Sequence, residues 1–460
     1  MPDSALFGTA ADTRPAAASH RRVLALAFPI VLANLTQPIL GAVDTAVAGH
    51  LDGAQYLGGV ALGGLFFNFV FWGFGFLRMG TTGLVAQAHG ARDDDGIRLS
   101  VLRALVVAFA LGAAVLALQT PLLSFTLAAL GGSDAVRATA LAYGHARIWA
   151  APFALANYVV LGYLLGAQRV RLALVVQVFI NAINIGAVLL FVYGFGWGIA
   201  GIGAATASAD ACGFALGAWL LWQLRPRGLP PLAARMLVDP AALRRLIALN
   251  RDIFLRTLCL LSVFGWFAHL GAKQGDATLA ANALLLNFQT FMAYGLDGFA
   301  HAAEALVGAA AGARDRVAFR QAVRITLFWS ALGALAFAVV YWAAGGWIIG
   351  RLTDQAAIRE VAVRYLPWAA ISPVVSVWGF LLDGVFIGAT QTHSLMRAMA
   401  ASLAVFVAAT CALVGTLGNH GLWLALLLFM AARGATLARY LPGLSAQIGD
   451  AAPAAQAPAV

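Results

Sequence analysis

Residues 38–50, PILGAVDTAVAGH, place one carboxylate, Asp44, inside an apolar run that opens near Val23 and closes near His50. Read as a helix, Asn34, Gln37, Gly41 and Asp44 recur at spacings of three, four and three, which puts them on one polar or small face of an otherwise apolar cylinder. The run is long enough to cross a hydrocarbon core of roughly 30 Å. An ionisable group at that depth is costly, which marks Asp44 as a candidate functional residue.

The pattern recurs along all 460 residues, of which 62% are hydrophobic and 10% charged, with a mean hydropathy of +0.85. A water-soluble chain carries about 25% charged residues. Twelve apolar runs lie near 23–48, 57–80, 99–120, 137–166, 171–193, 197–223, 253–271, 278–310, 318–343, 357–388, 396–416 and 420–441. Continuous apolar runs of this length cross a bilayer as helices, because every backbone polar group is then satisfied within its own segment. The fold class expected is therefore an all-α membrane protein with twelve transmembrane helices.

A net charge of +10 could suggest nucleic acid, but its distribution points to a membrane. Of 29 basic residues, 23 fall at alternate loops or their helix ends, and the other six are Arg137, Arg147, Lys273, Arg351, Arg359 and Arg364. This asymmetry puts the arginine-rich side, with both termini, in the cytoplasm of a cell whose inner membrane the chain spans. No cleavable signal peptide is evident in residues 1–20, so the first apolar run is expected to remain as the first helix. Cys212, Cys259 and Cys411 show no paired spacing and read as small core residues, with neither a disulfide framework nor a metal site.

The chain divides into a tail at 1–20, a six-helix bundle at 21–223, a Pro- and Arg-rich linker at 224–252, a second bundle at 253–441 and a tail at 442–460. A repeat supports the division. AHGARD at 88–93 matches AAGARD at 310–315, and GYLLGA at 162–167 matches GVFIGA at 384–389, both 222 residues apart. Six spans per half keep the orientation, so the repeat is the parallel kind, which encloses a central cavity.

Few acids fall inside spans: Asp44, Asp210, Asp297, Glu304 and Asp383. Asp44 has no basic residue in its own span beyond Arg21 and Arg22 at its start. A carboxylate in that setting suits uptake and release of protons. Gln177, Asn181 and Asn184 make a neutral polar stripe on the fifth span, and Thr206 lies one turn before Asp210 on the sixth. These groups either hydrogen-bond between helices or support an acid or a cation. On the eighth span Asn287, Tyr294, Asp297, His301 and Glu304 share one face, as a second relay or as a charge network in which Arg256 is a partner for one acid. Asp383 reads equally as a latch or a binding group.

Enzyme chemistry is not indicated. The chain lacks a GxxxxGK[ST] phosphate loop, a GxSxG nucleophile turn and HExxH or Cys/His metal spacing.

The motifs DTAVAGHL at 44–51, FLRMGTTGLVAQAHGARD at 76–93, NRDIFLR at 250–256, YGLDGFAHAAEALVG at 294–308, LLDGVFIGAT at 381–390 and GNHGLWLAL at 418–426 resemble the multidrug and toxic compound extrusion (MATE) family, in its DNA-damage-inducible (DinF) branch. The resemblance covers roughly residues 20–445. It implies a V-shaped pair of six-helix bundles and a secondary antiporter that exports organic, often cationic, compounds in exchange for protons or sodium. It also implies coupling at Asp44, with Asn184 and Thr206 nearby. Many members carry an Asp one turn beyond that Asn, where this chain has Val188. The reading is a proton-coupled exporter, acting as a monomer on small organic substrates in the lipid bilayer and needing no cofactor. The alternatives are sodium coupling, a lipid-linked precursor flippase of the same superfamily and a non-transporting scaffold.

Overall fold

Helices form wherever the apolar runs lie. The structure, a computed structural model, describes residues 18–51, 53–225, 234–237 and 239–450, with no strand among them. The helices are α1 (His20–Gly49), α2 (Ala54–Gly73), α3 (Phe76–Ala91), α4 (Asp94–Ala117) and α5 (Gln119–Leu130). They continue as α6 (Asp134–Arg147), α7 (Ala151–Gly166), α8 (Val170–Leu189), α9 (Gly198–Gln223) and α10 (Ala234–Leu237). The last five are α11 (Pro240–Ala272), α12 (Asp276–Gly312), α13 (Arg316–Leu352), α14 (Ala356–Gly388) and α15 (Thr392–Asp450).

Among the described residues, 10 helices are long and apolar enough to cross a membrane. Two features separate this number from the twelve runs. The runs at 396–416 and 420–441 follow one another within α15, interrupted at Gly418 (φ 56°, ψ −130°), a backbone conformation open to glycine. The run at 278–310 is the 37-residue helix α12, which is not among the ten; its polar stripe dilutes its apolar character. The run at 57–80 extends through α2 and α3 to Ala91.

The expected linker is shorter than 224–252. Asp239 accepts hydrogen bonds from the amides of Ala241 and Ala242, and Pro240 occupies the first turn, so α11 begins there. Residues 226–233 and 238 lie outside the described residues, as do the tail residues 1–17 and 451–460. Of the residues expected as tail, 442–447 continue the helix, and the backbone leaves helical geometry at Ile448 and Gly449.

The repeat read from sequence reappears as backbone geometry. The four non-glycine residues with positive φ are Arg92 (56°) and Arg314 (55°), and Gln168 (59°) and Thr390 (54°). Each pair is 222 residues apart, at the ends of the matching GARD and G-x-x-x-G-A segments. Each closes its helix alike: Asp93 N–H donates to Ala88 O and Asp315 N–H to Ala310 O, both at 2.9 Å. Asp93 and Asp315 then cap the next helices, α4 and α13.

The same register governs packing. Helix α12 lies against α1, α3, α7, α11, α13 and α14. Where α3 meets α12, a Cβ on Gly90 would strike Ala309 O, and a Cβ on Gly312 would strike Gln87 O. These contacts interchange under the 222-residue shift, so the α3–α12 seam is pseudo-two-fold. Gly166 approaches Thr82 O, and its counterpart Gly388 approaches Glu304 O. Small residues let backbones approach closely in lipid, where apolar burial between helices has little driving force. Large side chains such as Phe125, Trp342 and Trp347 face outward, 79%, 68% and 67% exposed, as a lipid-facing surface requires.

Gly312→Ala should therefore force α3 and α12 apart and cost about 1–3 kcal/mol. Gly346→Ala, at a position with nothing within 4 Å of the added carbon, should be close to neutral. Thermal unfolding of the detergent-solubilised variants checks the contrast.

Candidate functional site

Helix α1, which packs against α12, α8 and α2, carries Asp44 near its C-terminal end. Pro29 and Pro38 both sit inside its continuous 30-residue helix. Asp44 is buried, 7% exposed, and its Oδ1 has no hydrogen-bond partner among the described residues. Arg147, at the end of α6, lies in electrostatic reach of Asp44 and of Asp210 on α9. Its guanidinium rests 4.7 Å from the Phe67 ring centroid and 5.6 Å from that of Tyr143, and it donates to the Tyr143 hydroxyl. Arg147, one of the six arginines and lysines off the arginine-rich side, lies within the span Asp134–Gly166, and the aromatic rings give its charge a bed inside the bundle.

The neutral groups divide into three sets. Asn184 Nδ2 donates to Thr206 Oγ1 at 3.0 Å, which joins α8 to α9. Asn184 is fully buried, and its Oδ1 has no partner among the described residues. Gln177 donates to Asn181 at 3.2 Å, and Asn181 donates to Thr36 of α1 at 2.7 Å. Asn34 turns away from this group and donates to Tyr294 O of α12 at 3.2 Å. The side chain of Gln37 lies outside the described residues. Val188 is fully buried in an apolar cluster with Val47, Ile202 and Ala205, so this position of α8 has no polar role. Asn157 of α7 donates to Asp210 O at 3.0 Å and to Asp210 Oδ1 at 3.3 Å. Asn157 was not among the residues singled out from sequence, and nothing in its ANYVV context distinguishes it.

The second polar group lies between α11, α12, α14 and α15. Asp383 accepts from both Arg256 and Arg433, and the three residues are 4%, 6% and 2% exposed. A Cβ on Gly379 would sit 3.2 Å from the Arg433 side chain, and Arg433 also lies 5.0 Å from the Phe380 ring centroid. Asp383 is thus a clamped carboxylate. Arg256 and Arg433, counted with helix ends from sequence, are interior residues, as is Arg78. Arg78 of α3 faces Glu304 of α12 at 3.6 Å. Asp297 is half-buried and has no direct ion pair among the described residues; Arg78, Arg256, Arg433 and Asp383 surround it electrostatically. His301 keeps Nδ1 buried without a partner, with Arg78 nearby.

A buried, incompletely bonded carboxylate in one half and a compensated charge network in the other, set in a bundle of membrane-length helices, define a multi-pass membrane protein of the transporter type. The chain belongs to the MatE family, whose pattern matches residues 29–192 and again 253–413. It is 43% identical to DNA damage-inducible protein F of Escherichia coli strain K12, covering 91% of each chain. It is 26% identical to the probable multidrug resistance protein NorM of Acinetobacter baylyi, over 88% of this chain and 92% of that one. The solved structure of the Vibrio cholerae MATE transporter VcmN in its bent form shares the fold, with a TM-score of 0.83, 19% identity and coverage of 93% and 97% of the two chains.

Asp383→Asn should leave two buried guanidinium groups without their carboxylate and cost about 3–5 kcal/mol. Asp297→Asn, which breaks no direct pair, should cost far less. The unfolding temperatures of the two variants in detergent separate the outcomes.

Proposed function

We propose that this chain is a proton-coupled secondary antiporter that exports organic, often cationic, compounds by alternating access. The carrying observation is Asp44: a buried carboxylate with a bare Oδ1, no direct ion pair among the described residues, and a cation already nearby. A proton neutralises such a group without adding a coordination shell. A sodium ion would enter against the field of Arg147, and Val188 withholds the oxygen that a further carboxylate on α8 would give it. This favours protons over sodium. The similarity to the protein named as a probable multidrug resistance protein supports drugs and toxic compounds as the substrate class.

In this reading twelve spans form two six-helix bundles, at 21–223 and 253–441, around a V-shaped cavity, with the linker and both termini cytoplasmic. The protein works as a monomer in the inner membrane. The close α3–α12 contacts at Gly90 and Gly312 lie beside Arg92 and Arg314 at the arginine-rich end, which supports reading this conformation as outward-facing. Asp44 takes a proton from outside, α1 repacks near Pro38 and substrate leaves. The carrier then turns inward, loses the proton and rebinds substrate. A membrane potential adds about 2.3 kcal/mol per charge per 100 mV to the pH gradient.

A lipid-linked precursor flippase would need free interior arginines for phosphate. Arg78, Arg256 and Arg433 each pair with a carboxylate instead, and Arg147 is taken up by Phe67 and the Tyr143 hydroxyl, which supports export of organic cations.

Ethidium efflux from proteoliposomes tests the proposal. An imposed pH gradient should drive it, a sodium gradient at constant pH should not, and Asp44→Asn should abolish the proton-driven component. Wild-type export by Asp44→Asn would refute coupling through this residue.

A further inference from the structure

Around the α3–α12 seam the backbone packing repeats and the charge does not. A Cβ on Gly162 would strike Arg78 O, and one on Gly384 would strike Ala300 O. One turn further on, Gly166 stands against Thr82 O and Gly388 against Glu304 O. All four positions and their contacts are related by the 222-residue shift. The side chains are not. The shift carries Arg78 to Ala300 and Glu304 to Thr82, so the counterpart of the Arg78–Glu304 pair is the uncharged pair Ala300 and Thr82. Thr82 spends its hydroxyl on Arg78 O within its own helix, at 2.8 Å. Close packing here therefore does not require an ion pair, because the related side is built without one.

The pair also sits at a boundary. Along one face of α12, Tyr294, Asp297 and His301 are half-buried, whereas Glu304 is buried. From Glu304 the helix runs about 12 Å further to Gly312, at 1.5 Å per residue. Over that length the ties across the seam are neutral: Gln87 donates to Gly388 O and Thr390 Oγ1, and Gly90 and Gly312 each meet a carbonyl. Arg78 Nη1 lies 3.6 Å from Glu304 Oε2. Both atoms are buried, and neither has a hydrogen-bond partner among the described residues. Asp383 differs on both counts. It accepts from two arginines, and all three residues belong to α11, α14 and α15 of the second repeat. Arg78 and Glu304 instead join the first repeat to the second.

We infer that Arg78 and Glu304 form a lock between the two halves, which holds the seam shut at its inner edge and parts whenever the seam opens toward the arginine-rich end. The inference rests on the outward-facing, alternating-access reading and deepens it. While both charges are present, each makes the closed seam tolerable for the other. Their contact is long and carries no hydrogen bond, so the hold is one that a working cycle can break. On opening, water reaches both groups and replaces what they lose. Removing one charge inverts the balance, because the survivor is buried and alone when the seam is shut and hydrated when it is open. Removing both leaves the neutral packing that the related side already uses.

Electron–electron distance measurements on the purified full chain in nanodiscs read the seam directly. Nitroxides go at Asp94 and Val317, exposed positions at the starts of α4 and α13, with Cys212, Cys259 and Cys411 replaced by alanine. Glu304→Gln leaves Arg78, which does not shed its charge, inside the closed seam. The share of molecules with a long label distance should rise about tenfold over the unsubstituted pair, within the range of coupling between groups in contact. The double variant Arg78→Gln/Glu304→Gln should return to within about twofold of it. An unmoved distribution in Glu304→Gln, or a double variant as open as Glu304→Gln, would overturn the inference. If Glu304→Gln does not fold, Arg78→Gln decides at about pH 9, well above the ordinary glutamate range: a larger long-distance share supports the lock and an unchanged one refutes it. Ethidium efflux in the same preparations keeps the two ideas apart. Distances that respond as expected without proton-driven efflux would sink the proposed function and leave the lock standing. Efflux with unmoved distances would do the reverse.

Discussion

Close backbone contact between α3 and α12 is the constraint on which the rest of the structure depends. Lipid chains are as apolar as leucine, so helices in a bilayer gain little by burying apolar side chains against one another. They gain by close approach, and Gly90, Gly312, Gly166 and Gly388 permit it, each set against a backbone carbonyl. Because the contacts interchange under a 222-residue shift, the two sides of the seam share one geometry. The seam also fixes the polar groups beside it. Arg78 meets Glu304 across it, and Gln87 donates to Gly388 O and Thr390 Oγ1 at 3.2 and 3.0 Å.

Buried charge is the second constraint, and the chain meets it in two ways. Around Asp383 each formal charge has a direct partner, and Gly379 makes room for the guanidinium of Arg433. A carboxylate held by two arginines gains nothing from a proton. Around Asp44 compensation is at longer range, and the cation lies on aromatic rings. The same pair of residue types, Asp and Arg, is thus directly paired in one place and held apart in the other.

Much of this was legible in sequence. The apolar runs, the polar stripes at helical spacing and the matching GARD and G-x-x-x-G-A segments all depend on local periodicity, which one chain displays by itself. The stripe from Tyr294 to Glu304 does lie on one helix, and the pairing of Asn184 with Thr206 joins two helices adjacent in the chain. Partners from distant helices were not legible. Asn34 shares a helical face with Asp44 but bonds to α12, because a face read from spacing does not say which neighbour it meets. Arg433 sat in AARGATL without any sign that it reaches Asp383.

Sequence alone determined the membrane-spanning helical class, the internal repeat and the burial of a carboxylate, Asp44, within the first helix. Those follow from hydropathy, spacing and the cost of a charge in hydrocarbon, all carried by single segments. Only the tertiary structure decided which arginines are interior and which acid each one serves. An arginine near a helix end looks the same in sequence whether it reaches toward water or folds inward onto a ring or a carboxylate. Packing of the neighbouring helices settles the matter, and it lays Arg147 on the Phe67 ring with its guanidinium bonded to the Tyr143 hydroxyl.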